Sequence, residues 1–147
     1  IALAGGTCKV EGEAVVGFLE FEITNCKIDG ELKRKNGKLG GTFTVDLTKL
    51  DTGLKLRNKH MRDKYLETKK YPKAKLVLKP VKYGAKKFVG SFSLHGKTKL
   101  IEGEVISASG EKLEAKFPID ITEFGIEKPG YKGIVIGQHL TVFATVK

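Results

Sequence analysis

The 147-residue chain is poor in several residue types that mark particular classes of protein. It has no Trp, one Met and two Cys, and its 18 Gly and 4 Pro are too few for a disordered composition. Its longest apolar stretch without a charge, residues 14–19, is far shorter than the roughly 20 residues of a transmembrane helix. These features exclude a helical membrane protein, a disordered tail and a large multidomain enzyme. We expect one domain that is soluble or at most peripheral to a membrane.

Motifs for catalysis, phosphate binding and metal binding are also missing. The chain contains no Gly-x-Ser-x-Gly nucleophile motif, and its glycine-rich residues 37–41 lack the Gly-Lys-Ser/Thr ending of a phosphate loop. Its three histidines, His60, His95 and His139, include no pair at the spacing that places two metal ligands on one helix face. We therefore expect no enzymatic activity, no metal site and no obligatory cofactor.

The two cysteines, Cys8 and Cys26, leave two interpretations open. In an oxidising compartment they could form a disulfide that closes a loop of about 19 residues, which is worth roughly 3 kcal/mol. They could also be two buried thiols. Their spacing, without paired histidines nearby, argues against a zinc site.

The first residues resemble the end of a secretory signal. Ala2-Leu3-Ala4 has the Ala-x-Ala pattern that signal peptidase accepts. We interpret residues 1–6 either as a remnant of such a signal or as an artificial terminus, with one folded domain over residues 7–147. The first interpretation predicts a periplasmic or secreted protein.

The net charge of +10 comes almost entirely from lysine. Only three of the 27 cationic side chains are Arg, and no aromatic residues alternate with the lysines as stacking platforms. This composition predicts no nucleic-acid partner and favours solubility together with peripheral attraction to anionic lipid. A denser basic segment contains Arg57, His60 and Arg62, which we interpret either as a solvated loop or as a clamp for a polar headgroup.

Alternation of apolar and polar residues is the dominant pattern, and it predicts strands with one buried and one wet face. The alternating runs are residues 42–47, 75–79, 88–95, 112–122 and 140–146. Turn dipeptides separate them: Asp29-Gly30, Asn36-Gly37, Tyr83-Gly84, His95-Gly96, Ser109-Gly110 and Pro129-Gly130. About eight antiparallel strands are expected, as a sandwich or a closed barrel, with one short helix over residues 58–66 capped by Asn58.

The predicted inner face mixes large side chains with small ones. Phe, Leu, Val and Ile alternate along it with Gly90, Gly103, Ala115 and Ala144. Such a face leaves either a filled core or a slot for a small ligand, and periodicity alone does not decide between them.

Five motifs in order resemble the YceI-like family. They are residues 41–53, 56–66 (similar to the family's R-[DN]-x-H-[LM]-[RK] helix), 70–74, 90–99 (similar to its G-x-L-x-x-H-G-x-T-K hairpin) and 124–126. The sequence departs from the family pattern at Glu123, where Asp is common, and at Tyr65 and Leu66, where two Phe are usual. The two cysteines are not a family feature.

The resemblance implies a lipocalin-like antiparallel barrel, exported to the bacterial periplasm, that binds a long amphiphile in its lumen. A polyisoprenoid, ubiquinone or a related prenyl or acyl lipid is implied, and a homodimer is a common way to enclose a longer tail. By the same resemblance the lumen is lined by Phe43, Val45, Leu76, Leu78, Phe92, Leu94, Phe117 and Ile119. Arg57, His60 and Arg62 are implied near the headgroup. The alternatives are a lipid-free structural or stress-response barrel and an accessory that presents a quinone to an electron-transfer partner.

Overall fold

The computed structural model describes residues 5–14, 20–127, 130–131 and 134–147, and residues 1–4 of the predicted signal remnant lie outside them. Ten strands are present in these ranges: β1 (Gly6–Ala14), β2 (Glu20–Asp29), β3 (Lys33–Lys35), β4 (Lys38–Asp46), β5 (Lys73–Lys82), β6 (Lys87–Leu94), β7 (Lys97–Ala108), β8 (Leu113–Asp120), β9 (Gly130–Tyr131) and β10 (Ile134–Val146). Helix α1 (Lys55–His60) continues into a π-helical turn (Met61–Tyr65), and 3₁₀ turns cover Leu47–Lys49 and Ile121–Phe124.

Eight long strands close into an antiparallel barrel. They pair in the order β1-β2-β4-β5-β6-β7-β8-β10, and β10 pairs back onto β1 from Gly6↔Val146 to Ala14↔Ile136. The short strands β3 and β9 pair only with β4 and β10. The predicted all-β barrel of about eight strands with one short helix is confirmed, and the sandwich alternative is excluded.

Strand register turns the alternation into rows of inward side chains. Phe43 on β4 pairs with Leu76 on β5, which pairs in turn with Phe92 on β6. Val77, an apolar residue at an outward position of the alternation, is 40% exposed. Position in the strand pleat therefore determines burial, even for an apolar residue that its type alone would place in the core.

Two of the predicted hairpin turns use residues that tolerate positive φ. Asn36 and Gly37 have φ of 53° and 73°, and His95 and Gly96 have φ of 55° and 76°. A two-residue hairpin loop with both central residues at positive φ matches the right-handed twist of its strands. The predicted turn at Pro129-Gly130 includes a residue outside the described ranges.

The short helix begins earlier than its predicted start at residue 58. Helix α1 begins at Lys55 after Leu54, whose side chain makes no capping bond. Asn58 lies inside the helix, where its Oδ1 accepts from the Thr52 amide at 2.7 Å and from the Thr52 hydroxyl at 2.6 Å. Its Nδ2 donates to Asp51 Oδ1 at 2.9 Å. The predicted cap is therefore wrong, and Asn58 instead ties the helix to the turn that precedes it.

Replacing Asn58 tests this tie. Asn58→Ala removes three hydrogen bonds and leaves the buried Thr52 without those partners, so we expect the free energy of unfolding to fall by about 2 kcal/mol. Thermal unfolding followed by circular dichroism measures the change. Lys59→Ala, at the exposed neighbouring position, is the control and is expected to change stability by less than about 0.5 kcal/mol. Equal effects of the two substitutions would contradict the assigned role.

Cys8 and Cys26 face each other across β1 and β2 and form a disulfide with a Cα–Cα distance of 5.0 Å. Immediately beyond this pair the register of the two strands shifts, so that Val10 pairs with Ile23. The extra residue lies on β2, where Asn25 takes a φ of 56°, as expected at a β-bulge. The cysteines are thus cross-strand partners on the inner face of the barrel.

Candidate functional site

The barrel encloses a cavity of about 540 Å³. This volume lies within the range of about 300–1,000 Å³ that is usual for small-molecule sites. All eight residues that the resemblance implied for the lumen line it: Phe43, Val45, Leu76, Leu78, Phe92, Leu94, Phe117 and Ile119. The rest of the wall is also mainly aliphatic, and the disulfide between Cys8 and Cys26 forms part of it.

One end of the barrel is closed by the β3–β4 hairpin and its neighbours. Leu32, Leu39 and Val81 are almost fully buried there, with exposed fractions of 1%, 1% and 3%. Arg34 holds this plug in place, because its guanidinium donates to the carbonyl oxygens of Leu32, Gly110 and Glu111. Its charge is therefore committed to three backbone acceptors, two of which lie in the hairpin between β7 and β8.

The opposite end is bordered by α1 and the residues that flank it. Leu54 and Leu56 line the cavity and are nevertheless 58% and 56% exposed, which places them at its mouth. Met61, Tyr65 and Leu66 continue the wall inward from the helix. A ligand reaching the lumen past α1 would therefore meet leucine side chains before it meets the strands.

Two of the three predicted headgroup residues border the same mouth. Arg57 and His60 line the cavity, and Arg57 Nη2 donates to the Thr52 carbonyl oxygen at 2.5 Å. Arg62 is not part of the cavity wall, because its Nη1 donates to the carbonyl oxygen of Thr48 at 3.2 Å. The structure thus brings Arg57 and His60 to the mouth and directs Arg62 toward the preceding 3₁₀ turn.

The turn before α1 is ordered by a carboxylate. Asp51 Oδ1 accepts hydrogen bonds from Asn58 Nδ2 and from the Gly53 amide at 2.8 Å. These bonds lower the pKa of Asp51 below its ordinary value, and the bond from Asn58 contributes most. The carboxylate is therefore ionised at neutral pH and holds the turn that positions Leu54 at the mouth.

The small residues of the inner face have two different roles. A Cβ added to Gly103 would lie 2.4 Å from the ring of Phe88, and one added to Gly90 would lie 2.8 Å from Leu76 Cδ1. These glycines therefore make room for neighbouring side chains. Ala115 and Ala144, which pair across β8 and β10, instead line the cavity. Periodicity did not decide whether the inner face forms a filled core or leaves a slot. In the structure, neighbouring side chains fill the space at the two glycines, whereas the two alanines leave space in the cavity.

His95 joins three segments near the end of the barrel that α1 borders. Its Nε2 lies 2.6 Å from Glu67 Oε2, and its Nδ1 lies 3.1 Å from the carbonyl oxygen of Phe124. The imidazole also packs against the Tyr71 ring at a centroid distance of 4.7 Å. This is a structural histidine, which ties the loop after the π-helical turn to the β6–β7 hairpin and to the 3₁₀ turn at Ile121–Phe124.

Several wall residues were missed by sequence reasoning. The sequence analysis assigned no role in the cavity wall to Leu54, Leu56 and Met61, although a Leu-x-Leu beside a basic segment was an available signal. Within the described ranges no three His, Cys, Asp or Glu side chains are grouped so that they could hold a metal ion. In the same ranges no helix has the length and hydropathy to span a membrane.

Comparison with known proteins gives one family and several structural relatives. The family model described as the YceI-like domain matches residues 7–147. The crystal structure of BcnA from Burkholderia cenocepacia is 19% identical, covers 95% of this chain and 94% of its own, and superposes with a TM-score of 0.75.

Two further solved structures share the fold. A polyisoprenoid-binding domain from Saccharophagus degradans, implicated in plant cell wall breakdown, is 16% identical, with coverage of 99% and 97% and a TM-score of 0.68. A YceI protein from Campylobacter jejuni is 18% identical, with coverage of 82% and 81% and a TM-score of 0.53. No curated protein matches the chain.

Proposed function

This chain belongs to the YceI-like family, and from that premise we propose that it binds and carries a long amphiphilic lipid in its barrel. The ligand class is a polyisoprenoid, ubiquinone or a related prenyl or acyl lipid. The observation that carries the proposal is the apolar cavity of about 540 Å³, closed by a plug at one end and bordered by exposed leucines at the other. The polyisoprenoid-binding domain that shares the fold supports this ligand class.

The lipid tail is the part of the ligand that the lumen would hold. Each methylene group moved from water into such a wall contributes about 0.8 kcal/mol. A long prenyl chain would exceed the observed limit on affinity if every carbon contributed fully, so the cost of ordering the tail must offset much of this gain. Tail length and the taper toward the plug would therefore set selectivity more than total apolar area does.

The headgroup would remain at the mouth, near α1. Arg57 and His60 are the polar side chains of the predicted clamp that border the cavity there. Because the deeper wall is apolar, a polar headgroup placed inside would lose its hydration without gaining hydrogen bonds. This cost orients the ligand with its tail toward the plug.

We further propose a non-enzymatic role in the bacterial periplasm, without an obligatory cofactor. The disulfide between Cys8 and Cys26 supports an oxidising compartment, since such bonds persist there and are rare in the cytosol. The lining residues are mainly aliphatic and aromatic, which supports binding of a tail over chemical conversion of it.

The test is native mass spectrometry of protein purified from a periplasmic preparation, followed by organic extraction and lipid mass analysis. We expect one prenyl or acyl species at a stoichiometry near one per chain. Delipidated protein should then take up a tritiated prenyl alcohol or a short-tailed ubiquinone. A protein that is isolated empty and takes up neither probe would refute the carrier role and favour a lipid-free barrel.

A further inference from the structure

The mouth of the cavity has an unusual surface, which we call the portal segment and define as residues 54–60. None of the residues of α1 is buried, so the helix does not pack an apolar face onto the barrel. Leu54 and Leu56 are more than half exposed and at the same time belong to the cavity wall. Exposed large apolar side chains that are continuous with an apolar lumen mark an interaction surface.

The charge around these leucines is mainly positive. Between residues 54 and 64 the chain has five Lys or Arg side chains and one acidic side chain, Asp63. Lys55 and Lys59 are exposed on α1 itself, next to the leucines. Asp51, the nearby acid before the helix, is engaged by Asn58 and by the Gly53 amide. A partner for the portal segment must therefore combine an apolar layer with a negatively charged surface.

We propose that the portal segment docks onto the surface of an anionic phospholipid bilayer. Leu54 and Leu56 would enter the boundary between headgroups and acyl chains, while Lys55 and Lys59 would contact lipid phosphates. The inference rests on the proposed function in one respect, because docking would place the cavity mouth against the membrane that supplies or receives the lipid. It also gives the expected peripheral membrane contact a location.

A second copy of this chain fits the portal segment less well. In a two-fold symmetric dimer the segment would face itself, so two sets of three cations, Lys55, Arg57 and Lys59, would be brought together in place of complementary charges. A bilayer of anionic lipid supplies both the apolar layer and the opposite charge. Charge complementarity therefore selects the membrane as the occupant.

Flotation with vesicles tests the proposal on the delipidated protein. Vesicles of phosphatidylcholine with 30% phosphatidylglycerol contain no prenyl lipid or quinone, so docking is measured whether or not the carrier role holds. We expect the wild-type protein to float with these vesicles, to bind pure phosphatidylcholine at least tenfold more weakly, and to lose binding as salt is raised.

Two double variants with matched controls locate the surface. Lys55→Gln/Lys59→Gln should weaken docking about tenfold or more, whereas Lys33→Gln/Lys35→Gln, which removes the same charge from exposed β3, should change it less than threefold. Leu54→Ser/Leu56→Ser should also abolish flotation. Its control is Leu100→Ser/Ile106→Ser, which alters two leucine-sized residues that are 67% and 56% exposed on β7.

Three outcomes would overturn the inference. They are no flotation with anionic vesicles, equal losses in the variants and their controls, and a concentration-dependent dimer that Leu54→Ser/Leu56→Ser dissolves. Uptake of tritiated prenyl alcohol from solution by the Lys55→Gln/Lys59→Gln variant separates the two proposals. Loss of docking with retained uptake locates the defect in membrane contact, whereas wild-type protein that docks but takes up no lipid refutes only the carrier role.

Discussion

Ala115→Phe is expected to weaken uptake of a long lipid at least tenfold while the barrel stays folded. Ala115 is 7% exposed, lines the cavity on β8 and lies opposite Ala144 of β10. A phenylalanine ring at this position points into the empty volume that the tail would occupy. Because space is available inside the lumen, the ring fills a cavity more than it overpacks a core, and stability should change by less than about 1.5 kcal/mol.

The measurement is the affinity of delipidated protein for a tritiated prenyl alcohol and for a short-tailed ubiquinone, together with thermal unfolding. A tenfold loss corresponds to about 1.4 kcal/mol of binding free energy. Lys116→Phe is the matched control, because the adjacent side chain points outward, where its ion pair with the exposed Glu104 at 3.5 Å contributes little. Unchanged affinity in a folded Ala115→Phe protein would show that the tail does not occupy this part of the lumen.

Cys8→Ala/Cys26→Ala is expected to lower the free energy of unfolding by about 3 kcal/mol. The disulfide links β1 to β2 across a sequence separation of 18 residues. Its removal restores conformational freedom to the unfolded chain. For a domain of about 150 residues this loss corresponds to a fall in melting temperature of roughly 6–12 °C. The double variant is preferred to a single one because no free thiol is left to form bonds between molecules.

Thermal unfolding of the oxidised wild type, the reduced wild type and the double variant measures this effect. Reduction should shift the wild-type melting temperature by about the same amount as the substitutions do, and should leave the variant unchanged. The intact mass of the wild type, lower by two hydrogens than the reduced chain, reports the bond independently. A double variant that melts with the wild type would contradict a stabilising role for the bond.

The strands were predictable from the sequence because their cause is local. In a strand successive side chains point to opposite faces, so alternation at Phe43, Leu76 and Phe92 was enough to identify the inward positions. The turns at Asn36-Gly37 and His95-Gly96 were predictable for a similar reason, since few residue types tolerate positive φ. The helix start was misplaced, because Asn58 bonds to Thr52 instead of capping. The alternating run at residues 112–122 also overran its strand, since β8 ends at Asp120 and a 3₁₀ turn follows.

The family motifs were the basis for predicting which residue types form the site. They implied the apolar lining, and they placed Arg57 and His60 near the mouth, where the structure has them. Arg62, two residues farther along the chain, was implied by the same motif but is not part of the cavity wall. Its bond to the Thr48 carbonyl depends on how the π-helical turn lies against the preceding 3₁₀ turn, which no short motif specifies.

Long-range packing determines the features that enclose the cavity of the barrel. The plug of Leu32, Leu39 and Val81 depends on Arg34 reaching carbonyls more than 70 residues away. The sequence left open whether Cys8 and Cys26 form a disulfide or remain thiols. The disulfide depends on the register of β1 against β2, which places the two residues opposite each other. Whether a small residue leaves space also depends on its cross-strand neighbour, as Phe88 fills the site beside Gly103 while Ala144 leaves open the site beside Ala115. Alternation specifies which face of a strand is buried, but the volume enclosed depends on side chains that meet only when the barrel closes.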